Sequence, residues 1–177
     1  MTKKTLKLKK TTEDFCENAL DSLLRAIPYS KFLGIHLDRQ DGELITVLPF
    51  SKILIGNPNP PALHGGAIAA FLEITAVVEL IGRQLSKNFQ YSGAKNPPKF
   101  GKNSLRIPKT IDFTVNYLRP GITKAAYAQA KVNRTGRRYG TVFVEAWQVD
   151  REKIFTQAMG NFLMPPAKEN VSDQGIR

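Results

Sequence analysis

Residues 61–80, "PALHGGAIAAFLEITAVVEL", constrain this chain more than any other stretch. Two glycines open an apolar run with helical periodicity, and the spacing predicts a helix over about 65–82 that is apolar nearly all round. Such a helix must be buried all round. It therefore has to be enclosed by the rest of the chain, and the rest of the chain has to supply a wrapping layer.

The following sequence supplies strands. "TIDFTVNYL" puts Ile111, Phe113, Val115 and Tyr117 on one face and Asp112, Thr114 and Asn116 on the other, a period of two. "AAYAQAKVN", "YGTVFVEAWQV" and "IFTQAMGNFLM" read as three more strands, separated by the turns "RTGRR" and "DREK". Short turns between consecutive strands predict an antiparallel meander. Upstream, "FLGIHLD" (32–38) and "ELITVLPF" (43–50) read as strands joined by "RQDG". Residues 11–27 read as a helix capped by Thr11 or Thr12 and ended by Pro28. The predicted class is α+β: a curved antiparallel sheet wrapped around a central buried helix, with an extra N-terminal helix.

The organisation expected is one domain over 11–164, with a basic tail at 1–10, a long irregular basic loop at 83–108 and a loose end at 165–177. The 177 residues suffice for one sizeable core, and 42% hydrophobic with 23% charged residues suits a globular protein. One cysteine, Cys16, allows no internal disulfide, and two histidines make a structural zinc site improbable. No secretory leader and no membrane span are expected, since acids follow the basic start and Glu73 and Glu79 interrupt the best apolar run. The expected location is the cytoplasm. The net charge is +11, and residues 1–10 and 83–109 hold twelve of the 26 cations without an acid. A basic surface suits an anionic partner; no nucleic-acid recognition motif accompanies it, and nucleic acid is not the expected partner.

Within the apolar helix the chemistry concentrates. Gly65 and Gly66 offer backbone N–H groups without intrahelical partners at the positive end of the helix dipole, an anion or oxyanion site; equally, the pair permits a tight turn into the helix. His64 suits either a general base or a ring that fixes the loop, the latter favoured. Glu73 is a carboxylate that apolar surroundings penalise. Glu79, about 240° further round, points elsewhere, toward solvent. Glu73 lies nine residues after His64, about 13.5 Å along the axis, so one small reacting centre cannot touch both ends. If both act together, they come from two chains packed about a two-fold axis.

"HGGAIAAFLE", the Asn-rich loop before it, "TIDFTVNYLRP", "NRTGRR" and "GNFLM" together resemble the hot-dog-fold thioesterases of the phenylacetate-pathway (PaaI-like) type, over roughly 30–164. The resemblance implies homodimers joined sheet to sheet, often paired into homotetramers, with active sites between subunits that hydrolyse acyl-coenzyme A or related thioesters. It implies that the Gly65 N–H polarises the thioester carbonyl and that Glu73 of the facing subunit is nucleophile or general base. By the same resemblance Thr110 positions water, and Asn57, or else Asn59, is the orienting amide. Many members carry Asp where this chain has Glu73, and the 83–109 loop is longer than the family's. The leaving thiolate has a pKa near 8.5, so one base and one oxyanion site suffice without metal or cofactor. Candidates for the phosphates of coenzyme A are Arg134, Arg137 and Arg138 around the hairpin turn, and Arg119. A hot-dog hydratase or dehydratase using His64 with Glu73, and a non-catalytic acyl-ligand-binding module, remain alternatives.

Overall fold

The structure, a computed structural model, describes residues 3–92, 107–136 and 138–164; for residues 3–13 and 88–92 it describes the backbone alone. Its centre is the helix α3, Gly65–Ser92. Ala67, Ile68, Phe71, Leu72, Ala76, Leu80, Ile81 and Leu85 on it are buried, with Phe71 fully inaccessible. Burying a side chain of that size contributes about 1.5–3 kcal/mol. Residues 65–87 have the length and mean hydropathy (1.7) of a membrane span, and most of that helix is buried within the protein. Composition alone therefore does not disqualify this helix, as the two glutamates had suggested; its apolar surface is taken up by the sheet and by α1.

α3 runs ten residues past the expected end at 82, into what the sequence suggested was irregular loop. The apolar period continues to Leu85, 1% exposed. Arg83 pairs with Glu79 one turn back at 2.7 Å, and the Ser86 hydroxyl donates to the Gly82 carbonyl at 3.0 Å. Polar residues on the outer face masked that period. The rest of the predicted basic loop, 93–106, lies outside the described residues, as does the C-terminal stretch 165–177.

The N-terminal helix α1 spans Lys3–Ala26. It takes in most of the residues expected to be a tail, so Thr11 and Thr12 lie inside it and not at its start. Lys and Leu are good helix formers, and nothing in 3–10 breaks the helix. Ala19, Leu20, Leu23 and Leu24 are buried in the same core as α3. After Ala26 the chain makes a short helix α2, Pro28–Leu33, where a strand was expected from Phe32. Pro28 stands at its first turn and Gly34 closes it at φ 71°. The first strand starts later, at His36.

The main sheet has six strands. β1 is His36–Gln40, β2 Glu43–Leu48, β5 Lys109–Tyr117, β6 Ala126–Thr135, β7 Tyr139–Trp147 and β8 Thr156–Leu163, in the order β1-β2-β6-β7-β8-β5 with antiparallel pairing throughout. The β1–β2 hairpin turns at Asp41 (φ 52°) and Gly42 (φ 82°), the left-handed pair that a two-residue hairpin requires. A separate ribbon, β3 (Ile55–Pro58) with β4 (Pro61–Leu63), occupies the Asn-Pro loop and feeds α3.

The expected meander holds for β6, β7 and β8. It fails at β5, which pairs with β8 at the sheet edge instead of turning back onto β6. Leu118 and Arg119 donate backbone N–H bonds to the Phe155 carbonyl, and Leu63 N–H bonds the Gly121 carbonyl at 2.8 Å. The 118–125 connection is thereby tied across the start of α3. Gly121 is needed there, since a Cβ would sit 3.1–3.3 Å from Phe155, Ile68 and Leu63.

Candidate active site

The helix start is built by subtraction. His64 is the N-cap: its carbonyl accepts from Ala67 and Ile68 N–H, both at 3.1 Å. Its ring Nδ1 accepts the Gly66 N–H at 3.0 Å. Of the donors that a helix start leaves open, Gly66, Ala67 and Ile68 are satisfied by His64 alone. The Gly65 N–H meets no acceptor among the described residues. The anion site expected at Gly65 and Gly66 thus reduces to one free donor, at Gly65. A Cβ at Gly66 would lie 3.0–3.1 Å from the His64 ring, so a side chain there would push the imidazole aside.

Tyr117, at the end of β5, closes this end of the helix. Its hydroxyl donates to the Gly65 carbonyl at 2.7 Å, and its ring lies 3.3 Å from where a Gly65 Cβ would be. The sequence put Tyr117 on a core face and gave no sign of this role; a Tyr ending a strand beside a Gly-Gly helix start is the signal available in retrospect.

Glu73 is half-buried, and the Thr110 hydroxyl donates to its Oε1 at 2.5 Å. A strict period of two would put Thr110 on the outer face with Asp112. A bulge prevents this: Thr110 pairs with Phe162 and Asp112 with Asn161, so Ile111 is the extra residue. Upstream of a bulge each side chain changes face. Thr110 shares the helix side with buried Phe162, while Asp112 accepts from the Asn161 amide at 3.0 and 3.2 Å on the outer side. Ile111, expected in the core, is 53% exposed.

Glu79 does not point freely to solvent. It is half-buried beside Arg83, and burial holds its carboxyl above the usual range against the lowering pull of that guanidinium.

The remaining candidates divide between the two ends of α3. Arg119 follows Tyr117 by two residues and is exposed at the Gly65 end. Arg134 and Arg138 are exposed at the β6–β7 hairpin. Tyr139 of that hairpin lines up with Leu163, which pairs in turn with Lys109, so the hairpin lies at the Thr110 end of the sheet. Arg137 lies outside the described residues. Asn57 is exposed in β3, and its Oδ1 accepts the Asn59 N–H at 3.1 Å; no hydrogen bond joins either asparagine to Glu73 or Gly65 among the described residues. Along α3 the Gly65 N–H and the Glu73–Thr110 pair lie about 12 Å apart.

The sequence profile of the thioesterase superfamily matches residues 61–155. Over 127 residues, 71% of this chain and 78% of the relative, the chain is 28% identical to the medium/long-chain acyl-CoA thioesterase YigI of Salmonella typhimurium. A solved protein of Chromobacterium violaceum superposes with TM-score 0.58 at 30% identity, over 89% of this chain and 97% of that one. A Bacillus halodurans protein crystallised with CoA superposes with TM-score 0.58 at 18% identity, over 88% and 94% of the two chains.

Proposed function

The chain belongs to the thioesterase superfamily, and on that premise we propose that it hydrolyses the thioester bond of acyl-coenzyme A at sites shared by two copies of itself. The observation that carries this reading is the division of the machinery. The free Gly65 N–H and the Thr110-held Glu73 sit on one helix, too far apart for one reacting carbon and suitably placed to face each other when two such helices pack antiparallel. β5 supports the pairing. Among the described residues it is an edge strand paired with β8, and it exposes Ile111 (53%) and Tyr117 (51%). An unpaired edge is a template for a second strand. A homodimer of the phenylacetate-pathway type, itself able to pair into a tetramer, is part of this reading.

In the shared site the thioester carbonyl oxygen accepts from the Gly65 N–H, at the positive end of α3. Glu73 of the other copy faces the carbonyl carbon. As a general base it takes a proton from a water that attacks that carbon; as a nucleophile it attacks directly and forms an anhydride that water then opens. In either route the thiolate departs, and with a pKa near 8.5 it needs little acid assistance. Thr110, its hydroxyl on Oε1, fixes the carboxylate. Pairing also brings Arg119 of one copy toward Arg134 and Arg138 of the other, a cationic rim for the phosphates of coenzyme A. The reading calls for no metal or cofactor. Its acyl range is medium to long, on the strength of the relatives' activity. Its proposed setting is the cytoplasm, which suits a chain with one thiol and no disulfide.

The hydratase alternative needs a free His64 imidazole next to the carboxylate. His64 Nδ1 accepts the Gly66 N–H, so the neutral ring carries its proton on Nε2 and has no second lone pair with which to act as a base, which favours hydrolysis. The test is thiol release from short-chain, long-chain and aromatic acyl-coenzyme A. The expectation is turnover by the wild type and a loss of about 100-fold or more in Glu73→Ala. Wild-type rates in that variant, or no turnover of any thioester by the folded wild type, would sink the reading.

A further inference from the structure

A cavity of about 480 Å³ lies between α1, the C-terminal half of α3 and strands β1, β2 and β6. Pockets that hold small molecules measure roughly 300–1,000 Å³. Of the helix residues lining it, Thr75, Val78, Glu79, Gly82 and Ser86 point about 140–240° round α3 from Glu73, Arg83 about 280° and Lys87 about 320°. The body of the cavity is therefore on the opposite face of the helix from the catalytic carboxylate, and Lys87 at its mouth is about 21 Å further along the axis.

Its walls are aliphatic: Leu20 from α1, Leu37 and Leu44 from β1 and β2, and Val78 from α3. Deep within it, the buried hydroxyls of Thr46 and Thr75 bond each other at 2.6 Å, and Thr75 also donates to the Phe71 carbonyl at 2.8 Å. Its mouth is ionic. Arg39 pairs with Glu17 at 2.9 Å and Arg83 with Glu79 at 2.7 Å. Lys87, exposed on the same rim, forms no ion pair among the described residues. Among the described residues the two carboxylates are matched by the two arginines, which leaves Lys87 as the cation without a carboxylate partner above an aliphatic interior.

We propose that this cavity is a second binding site, for an aliphatic monocarboxylate, with its chain against Leu20, Leu37, Leu44 and Val78 and its carboxylate at Lys87 and the neighbouring guanidinium groups. Among the described residues one unpaired cation, beside two paired guanidinium groups, suits a monoanion better than a polyanion and disfavours a cationic amphiphile. An acid released by thioester hydrolysis belongs to this class. The site itself is defined by residues that take no part in that reaction and does not depend on it.

The probe is decanoate, titrated calorimetrically below the concentration at which it self-associates. Four full-length proteins are compared: wild type, Gly82→Leu, Lys87→Glu and Glu73→Ala. A Cβ at Gly82 meets Leu20 Cδ1 at an ordinary 3.4 Å, and Gly82 lines the cavity, so the substitution adds side-chain bulk to its wall. Saturable binding, one decanoate per chain, is expected in the wild type and in Glu73→Ala. Binding at least tenfold weaker is expected in Gly82→Leu and in Lys87→Glu, and decanol should bind at least tenfold more weakly than decanoate. Thiol release by Gly82→Leu should match the wild type, which also certifies its fold. The proposal is overturned by the absence of saturable binding, by full affinity in Gly82→Leu, by loss of binding in Glu73→Ala, or by indifference to both Lys87→Glu and the change from acid to alcohol. Thiol release alone decides the hydrolase reading, so the two stand or fall separately.

Discussion

Among the described residues the partner of the Glu73 carboxylate is a hydroxyl and not a cation. Glu73 is half-buried, and its Oε1 receives the Thr110 hydroxyl from the neighbouring strand. A hydrogen bond to a charged group contributes about 1.5–3 kcal/mol. If that bond fixes the carboxylate for reaction, Thr110→Ala should lower kcat about 10- to 100-fold while Thr110→Ser stays near wild type. An unchanged kcat in the alanine variant would make the contact merely structural. The identities of Glu73, Gly65 and His64 as candidates were legible in the sequence, since each is anomalous in its setting. What joins them was not. Ile111 reads as one more apolar residue in a clean alternation, and nothing local announces that it is the extra residue that turns Thr110 toward the helix. The division of labour at the helix start was half legible. A His before Gly-Gly suggests a ring that fixes the loop, and the ring in fact takes the Gly66 N–H and leaves Gly65 as the free donor.

At the scale of elements, α3 is terminated and aimed by its cap. Gly66→Ala would place a methyl group 3.0–3.1 Å from the His64 ring and displace the imidazole from the Gly66 N–H. Loss of an N-cap costs about 0.5–2 kcal/mol, which lowers Tm by roughly 1–8 °C for a chain of this size. Thermal unfolding of the variant measures it, and an unchanged Tm would show that the ring contact carries no stability. The element order was readable because long runs of period two and a long helical run survive without tertiary information. Boundaries were less so. Residues 83–92 are polar enough to look like loop, yet Leu85 and the Arg83–Glu79 pair keep them helical. Lys3–Lys10 look like a solvated tail, yet join α1. The position of β5 at the sheet edge, beside β8, depends on backbone bonds to Phe155 and Gly121 that no local pattern encodes.

At the scale of the whole molecule, the central claim is that one chain holds two halves of two sites. The helix geometry alone carried that inference, since about 1.5 Å per residue separates Gly65 from Glu73 whatever the rest of the fold does. In the structure Tyr117, which the sequence did not single out, lies with Arg119 at the Gly65 end of α3, and the sequence candidates Thr110, Arg134 and Arg138 lie at the Glu73 end, with β5 at a sheet edge among the described residues. Complementation tests it most directly. Gly65→Pro removes the free N–H at the helix position where proline is best tolerated, with the exposed Tyr117 ring as the nearest neighbour. Glu73→Ala removes the other half. Each variant alone should be inactive, and after equimolar mixing with subunit exchange confirmed, one intact site per heterodimer should restore about a quarter of wild-type thiol release. Exchange without any recovered activity would contradict the shared site.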